Sequence, residues 1–597
     1  MKRHKETIQT LLERFQLHLE NDPDRISVSK VQVHKNAFEA IGITYKKLET
    51  RAKLFAHTLQ KTYHLNENDR ILLCLSDPHS FLISALGSMM AGYIVVPLPS
   101  LSGFGVPDEF LTRIQSVIKD CEPKLILTEN LSIWKRHMDC LKLEVPVGEF
   151  KELSIKAEED LTKPETLFTS PSGCETAFIQ YTSGSTGHPK GVVITHQNLA
   201  TNLYYMGSVS KVNPKHDRLL SWLPLYHDMG LVGNLLFPLY WKIPSFVLSP
   251  LSFVTRPVSW LKALDFFKAT YAVAPTFAYT ISFRKIPDWE LEGLDLSHWR
   301  LAFIGAEPID ADTAQGFIRR FSKYGFKSTS FYPVYGMAEA TLALAFPPCG
   351  RETYYDTISR TTLAKEGRAI SSAPSAPHSI SFVSVGQILP NHGLKIRDPN
   401  SLLDLPERHV GEIIVSGDSV SPAYFNKKDL KPTPRTELRT GDLGYVANGE
   451  LYIVDRLKDL IIISGQNFIP SDIERRLADI KGLRAGRIVA FSTPDPEGGE
   501  LLQIVAEFQI GAWRQLETLK DQITHVLNDR FGIQPDQIVL TTPGSLPKTS
   551  SGKVKRRKCR DLFTEGKFQQ KIGMKVILRI KFLDLWRRLL VAYSNSL

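Results

Sequence analysis

The densest concentration of potential chemistry in the chain is the segment Tyr181-Thr182-Ser183-Gly184-Ser185-Thr186-Gly187-His188-Pro189-Lys190-Gly191. Its three glycines, four Ser or Thr hydroxyls and one lysine can close on phosphates through backbone N–H groups, side-chain O–H groups and a positive charge. Gly184 and Gly187 are too close together for a Walker loop, and no Gly-Lys-Ser/Thr follows. A second segment, Ser221-Trp222-Leu223-Pro224-Leu225-Tyr226-His227-Asp228-Met229-Gly230, sets an imidazole beside a carboxylate, the usual pairing for general acid–base work.

These residues need a scaffold. Residues 70–75, 124–128, 176–181 and 245–248 are short apolar or β-rich runs separated by helical patterns, which predicts an α/β architecture with mostly parallel strands. The phosphate-type loop follows the third of these runs and precedes the apolar residues 192–195. Later, 410–415, 451–454 and 459–463 read as close-set strands of a β-rich subdomain. Beyond them come a helix at 471–477, strands at 487–491 and 503–508, a helix at 516–528 and a strand at 537–540. That suffices for a separate α+β domain of roughly a hundred residues. The joint is placed at 456–459. The only compositionally loose stretch is 369–381, rich in Ser, Ala and Pro.

At 597 residues the chain exceeds one ordinary core, and 43% hydrophobic with 23% charged residues excludes disorder. The net charge of +10 resides in residues 553–597, where 13 Lys and Arg face Asp561, Glu565 and Asp584. The rest is neutral, so nothing beyond the tail supports nucleic-acid binding. Six scattered cysteines without a CxxC pair argue against structural zinc and a disulfide framework. Ile8, Leu11, Leu12 and Phe15 predict an amphipathic helix whose charges exclude a secretory apolar core, and the compartment is read as cytoplasmic. The uncharged run 81–99 reads as a buried helix turning into a buried strand, since its Ser, Gly and Pro make a poor membrane span.

The loop 181–191 resembles the phosphate-binding signature of the adenylate-forming superfamily, which contains acyl-CoA synthetases, luciferases, nonribosomal adenylation domains and fatty acyl-AMP ligases. The superfamily's other motifs follow in order from about residue 45 to residue 553. The resemblance implies a large N-terminal domain of α/β subdomains plus a β-rich subdomain (1–455), a hinge (456–459), a small mobile α+β C-terminal domain (460–566) and a basic tail (567–597). It implies ATP held by Thr182, Ser183, Gly184, Ser185, Thr186, Gly187 and Lys190. Phe331-Tyr332-Pro333-Val334-Tyr335-Gly336-Met337-Ala338-Glu339 resembles the adenine and metal segment. By that match Tyr335 stacks on adenine and Glu339 supplies the protein carboxylate for Mg²⁺. Ala338 departs from the Thr of many relatives, a spelling that suits the fatty acyl-AMP ligases. Gly305, Ala306 and Glu307 resemble the loop bordering adenine, Asp442 in Arg439-Thr440-Gly441-Asp442 the ribose-binding carboxylate, Arg456 a second ribose contact, and Lys458 the pivot.

Pro547-Lys548-Thr549-Ser550-Ser551-Gly552-Lys553 resembles the C-terminal catalytic loop. A carboxylate attacking the α-phosphorus of ATP meets another anion, and a cation must bridge the two; Lys553 fits. The acid arrives ionised, so no proton is abstracted, and His227 is assigned to substrate positioning. Phe277, Phe331 and Met229 are candidates for the wall of a hydrocarbon tunnel, with an ordinary core position as the default for each.

An excess of residues at 352–380 matches the insertion typical of fatty acyl-AMP ligases. In that family it packs on the N-terminal domain, restricts the C-terminal domain and accompanies loss of CoA-dependent thioester formation. The expected product is therefore a fatty acyl adenylate, handed to the phosphopantetheine thiol of an acyl carrier protein. A fatty acyl-CoA ligase and a catalytically silent acyl- or nucleotide-binding protein are the alternatives. The tail, with Lys571, Lys575 and Arg579 on one helical stripe, is read as a peripheral membrane contact, a docking surface for an acidic carrier protein, or an ordinary packed helix.

Overall fold

The computed structural model describes residues 8–34, 37–101, 108–141, 144–159, 171–182, 189–425, 435–463, 465–495, 499–548 and 554–568. Two large sheets form the N-terminal body. The first has seven strands in the order Phe331–Pro333, Leu301–Gly305, Tyr271–Pro275, Leu219–Ser221, Ser245–Leu248, Ile26–His34 and Ala37–Thr44. All neighbours are parallel except the final hairpin. Helices on the faces bury its central strands, which is why Leu301–Gly305 reads as one apolar run rather than an alternation.

The second sheet has six strands, Val147–Glu149, Leu125–Thr128, Arg70–Cys74, Ile94–Pro97, Thr176–Thr182 and Lys190–Thr195, and it too ends in an antiparallel hairpin. The phosphate-type segment is the connection of that hairpin. Tyr181 pairs with Gly191 and Thr182 with Lys190, so the two ends of the loop are fixed by main-chain register. Residues 81–99 are, as expected, a buried helix, Pro78–Met90, followed by the buried strand Ile94–Pro97. Asp77 caps that helix through the N–H groups of His79 and Ser80.

The N-terminal helix spans Leu11–Asn21 and buries Leu11, Leu12 and Phe15. Ile8 lies outside it, because the Thr10 hydroxyl and the Glu13 carboxylate close a capping box that sets the helix start. Among the described residues no helix is long and apolar enough to cross a membrane.

A four-stranded antiparallel meander, His392–Arg397, Gly411–Gly417, Leu438–Ala447 and Glu450–Arg456, forms the β-rich subdomain. Its last strand runs into a single turn, Leu457–Asp459, and the next strand is Ile461–Ile463, shorter than the expected 459–463. The chain then builds the C-terminal domain. Helices Pro470–Leu477 and Leu516–Phe531 pack on strands Leu483–Pro494, Glu500–Phe508 and Gln537–Thr541 around Ile473, Leu477, Ile488, Ile504 and Ile523.

The 352–380 segment is more ordered than its composition promised. Tyr355–Ser359 pairs with Ser379–Val383, and the helix Arg360–Glu366 lies between them. Ile358, Leu363, Ile380 and Phe382 share a core with Tyr445, so the end of the supposedly loose 369–381 stretch is a strand held by burial. The tail beyond residue 568, with Lys571, Lys575 and Arg579, lies outside the described residues.

Candidate active site

A cleft of about 3280 Å³ runs between the N-terminal body and the C-terminal domain. It is bordered by Thr182, Lys190, His227, Gly305, Ala306, Glu307, Tyr335, Gly336, Met337, Ala338, Glu339, Asp442, Arg456 and Lys458. The structure thus brings together every described residue singled out from the motifs. Ser183, Gly184, Ser185, Thr186, Gly187 and Lys553 lie outside the described residues.

At one end the Tyr335 hydroxyl donates to Asp442 Oδ2 at 2.8 Å. Burial, then the Asp442 charge, push the Tyr335 pKa well above its ordinary value, so the phenol stays protonated and the carboxylate is held in place. Asp442 sits opposite Arg456 across the last two strands of the meander, and Arg456 Nε lies 3.4 Å from its Oδ1. Gly336 is required next to Tyr335, since a Cβ there would lie 1.8 Å from the Leu342 carbonyl oxygen. Ala306 and Thr341 hold positive φ angles of 72° and 70° on either side of this region, a strain typical of ligand-contacting backbone.

Glu339 borders the phosphate side. Tyr424, which lies in no motif, donates its hydroxyl to Glu339 Oε1 at 3.0 Å, and its ring carries Lys190 Nζ at 5.0 Å from the centroid. Burial and the Glu339 charge raise the Tyr424 pKa to about 12. A lone carboxylate held beside the loop lysine fits a Mg²⁺ ion that takes its remaining ligands from phosphate and water.

His227 borders the cleft. Its ring packs on Tyr226 with centroids 4.5 Å apart, while Asp228 accepts from the Met229 N–H at 2.7 Å and starts the π-helix Met229–Leu236. The Asp228 carboxylate is thereby committed to a helix end, which weakens the acid–base pairing its sequence position invites. The same cleft has an aromatic wall of Tyr271, Phe303 and Phe346, with Trp222, Phe253 and Phe277 forming a second aromatic cluster. Of the three tunnel candidates, Phe277 and Met229 line the cleft. Phe331 takes the default core position against Tyr279 and Phe317, because its strand turns that side chain to the helical face.

The C-terminal domain closes the cleft from the other side. Lys548 and Val554 form an antiparallel bridge, the Lys555 N–H donates to the Pro547 carbonyl at 2.9 Å, and both Lys548 and Val554 border the cleft. The ends of the 549–553 loop therefore face the cleft. Arg556 ties the hinge to the domain through Asp459 at 2.9 Å and Glu474 at 2.8 Å. Lys458, in the hinge turn, is half-buried, and burial followed by the Arg456 charge lowers its pKa.

A second connection crosses the domain boundary. Arg360 of the insertion contacts Asp472, which also receives Arg475 at 2.9 Å, and Arg475 reaches back to Asp310 of the N-terminal body at 2.9 Å. Burial pushes the Asp472 pKa up, but the charges of Arg475 and Arg360 outweigh it and hold the carboxyl below the usual range.

Comparison with known proteins assigns this arrangement. The model of the family described as AMP-binding enzyme matches residues 15–425. The chain belongs to the AMP-binding enzymes. Within that family this enzyme is an adenylate-forming ligase. It is 33% identical over 558 residues to a 4-hydroxyphenylalkanoate adenylyltransferase of Mycobacterium marinum, covering 88% of this chain and 86% of the relative. It is 32% identical over 554 residues to the medium-chain-fatty-acid–[acyl-carrier-protein] ligase JamA of Moorena producens, covering 89% and 91%. A solved structure from a study of fatty acyl-adenylate ligases of E. coli and L. pneumophila superposes with a TM-score of 0.85 at 30% identity, covering 94% of this AMP-binding enzyme and 99% of the other chain.

Proposed function

We propose that this ligase activates a fatty acid with ATP and Mg²⁺, releases pyrophosphate, and passes the acyl group to the phosphopantetheine thiol of an acyl carrier protein. The observation that carries the first half is that one continuous cleft takes in the Tyr335–Asp442 pair, Lys190, Glu339, His227 and the aromatic walls. A nucleotide and an apolar acid can occupy it end to end, with the carboxylate meeting the α-phosphate near His227.

In this reading Tyr335 faces adenine and fixes Asp442, whose carboxylate accepts from the ribose hydroxyls together with Arg456. Thr182 and Lys190 hold phosphate from the two ends of the hairpin loop. Glu339 would hold Mg²⁺, which supplies charge neutralisation at the phosphates when bound. The acid's carboxylate oxygen attacks the α-phosphorus, the bond from that phosphorus to the bridging oxygen breaks, and the electron pair leaves with pyrophosphate. Lys553, on the loop whose ends face the cleft, bridges the approaching anions. In the second step the carrier thiol, giving up its proton, attacks the acyl carbon and AMP departs. His227 positions the acid and takes no proton.

The carrier as acceptor is supported by the insertion. Its Arg360 contact with Asp472 couples the segment directly to the domain that must rotate about Lys458 between the two steps. Fatty-acid-dependent exchange of labelled pyrophosphate into ATP tests the first half. Exchange with saturated acids supports it, and exchange with aryl acids alone would replace the fatty acid by an aromatic one.

A further inference from the structure

Arg113 stands on the helix Asp108–Cys121 and borders the same cleft as Thr182 and Lys190, with Tyr226 close to its guanidinium. Its Nε is buried without a hydrogen-bond partner, and no carboxylate pairs with it among the described residues. Removal from water pulls its pKa below the ordinary arginine value, with Tyr226 pulling the other way. Other sheltered arginines of the body are treated differently: Arg300 meets Asp217 at 2.8 Å, Arg351 meets Glu450 at 2.7 Å and Arg360 meets Asp472 at 2.7 Å. A desolvated cation without a counter-charge costs stability, and such a cost at the wall of a cleft is recovered when an anionic ligand arrives.

Its surroundings are fixed. Gln180, in the strand that leads to Thr182, donates from Nε2 to the Tyr226 carbonyl at 2.9 Å, and the Tyr226 ring packs on His227. The guanidinium is therefore presented beside Tyr226 from a helix, not from a loop. In-line displacement at the α-phosphorus requires the leaving group to depart away from the incoming carboxylate. In the adenylation reading the acyl chain lies along the aromatic walls and the phosphates at Thr182 and Lys190, so the departing phosphates lie towards Lys190. A planar guanidinium suits two phosphate oxygens at once.

We propose that Arg113 binds the pyrophosphate half of ATP and retains it as the leaving group, an assignment that rests on the adenylation reading above. Titration calorimetry of Mg-pyrophosphate into the full chain tests it without any acid present. In Arg113→Gln the dissociation constant rises about tenfold, and Arg113→Lys recovers part of the loss. The unliganded Arg113→Gln protein melts no lower than wild type, because an uncompensated charge has been removed. In pyrophosphate exchange the KM for pyrophosphate rises while that for the acid is unchanged. Unaltered pyrophosphate affinity in Arg113→Gln overturns the assignment, as does a defect confined to the KM for the carrier, which would place the phosphopantetheine phosphate there instead. A wild-type chain that binds pyrophosphate through Arg113 yet exchanges with no acid would sink the substrate reading and leave this site standing.

Discussion

Arg360, on the helix of the insertion, donates from Nε to Asp472 Oδ2 at 2.7 Å, and both side chains are buried at the boundary with the C-terminal domain. The pair joins residues 112 positions apart and is extended by Arg475 to Asp310, so charge runs unbroken from the insertion through the C-terminal domain to the N-terminal body. Arg360 also lies over the Phe531 ring, 5.1 Å from its centroid. Turning the domain about Lys458 would have to separate these groups, exposing Asp472 with one cation fewer.

Removing one partner of such a buried pair costs about 3 kcal/mol. Arg360→Ala is accordingly expected to loosen the domain contact, and amide exchange in residues 470–477 should accelerate in that variant. CoA-dependent thioester formation should rise while adenylate formation persists. Arg360→Lys, which keeps the charge without the planar fork, should fall between. Unchanged amide exchange in Arg360→Ala would mean that the pair does not hold the domain.

Tyr335→Phe deletes the hydroxyl that orients Asp442 and keeps the ring. A hydrogen bond to a charged group contributes about 1.5–3 kcal/mol, so the KM for ATP should rise about tenfold or more, with the KM for the acid unaffected. Asp442→Asn should be worse. Pyrophosphate exchange at varied ATP separates these outcomes.

Lys548 carries a pH signature. Burial, then Arg487, lower its pKa to about 8 against the pull of Glu507 and Glu307. The unfolded chain keeps that proton to about pH 10.4, so between these values the unfolded state binds more protons and this residue's contribution to stability rises with pH. The negative charge of ATP bound in the cleft that Lys548 borders is expected to restore that proton. Calorimetry near about pH 8.5, in buffers of differing ionisation enthalpy, should show proton uptake on ATP binding that disappears in Lys548→Met.

Lys553→Ala should lower adenylate formation by about a hundredfold or more while ATP still binds, because the lysine acts on charge that meets only in the transition state. Equilibrium binding of ATP and single-turnover formation of acyl-AMP, measured on the same preparation, separate the two effects. Near-normal adenylate formation would remove Lys553 from the mechanism.

Much of this arrangement was legible in the chain. Parallel strands announce themselves as apolar runs, the loop 181–191 carries a phosphate-type chemistry in its local spacing and 439–442 a resemblance, so residues that border the cleft could be named before the fold was known. Arg360, Asp472 and Arg475 could not: each is an ordinary charged residue on a helix until folding brings distant segments together. Tyr424 sits in a Ser/Pro loop without periodicity, and only the approach of Glu339 and Lys190 gives it a role. Phe331, a tunnel candidate, takes the core position that is the default for an apolar residue, and an aromatic residue beside a motif does not reveal which face of its strand that core is on. The strand at Ser379–Val383 is held by cross-strand pairing and burial, neither of which composition records.

The most direct test of the account is to supply the purified enzyme with labelled ATP, Mg²⁺ and a mid- to long-chain fatty acid, then offer CoA or a phosphopantetheinylated carrier protein. Acyl-AMP that persists with CoA and discharges only onto the carrier thiol is the predicted result. Efficient acyl-CoA formation would contradict it and make the enzyme a CoA ligase despite its insertion.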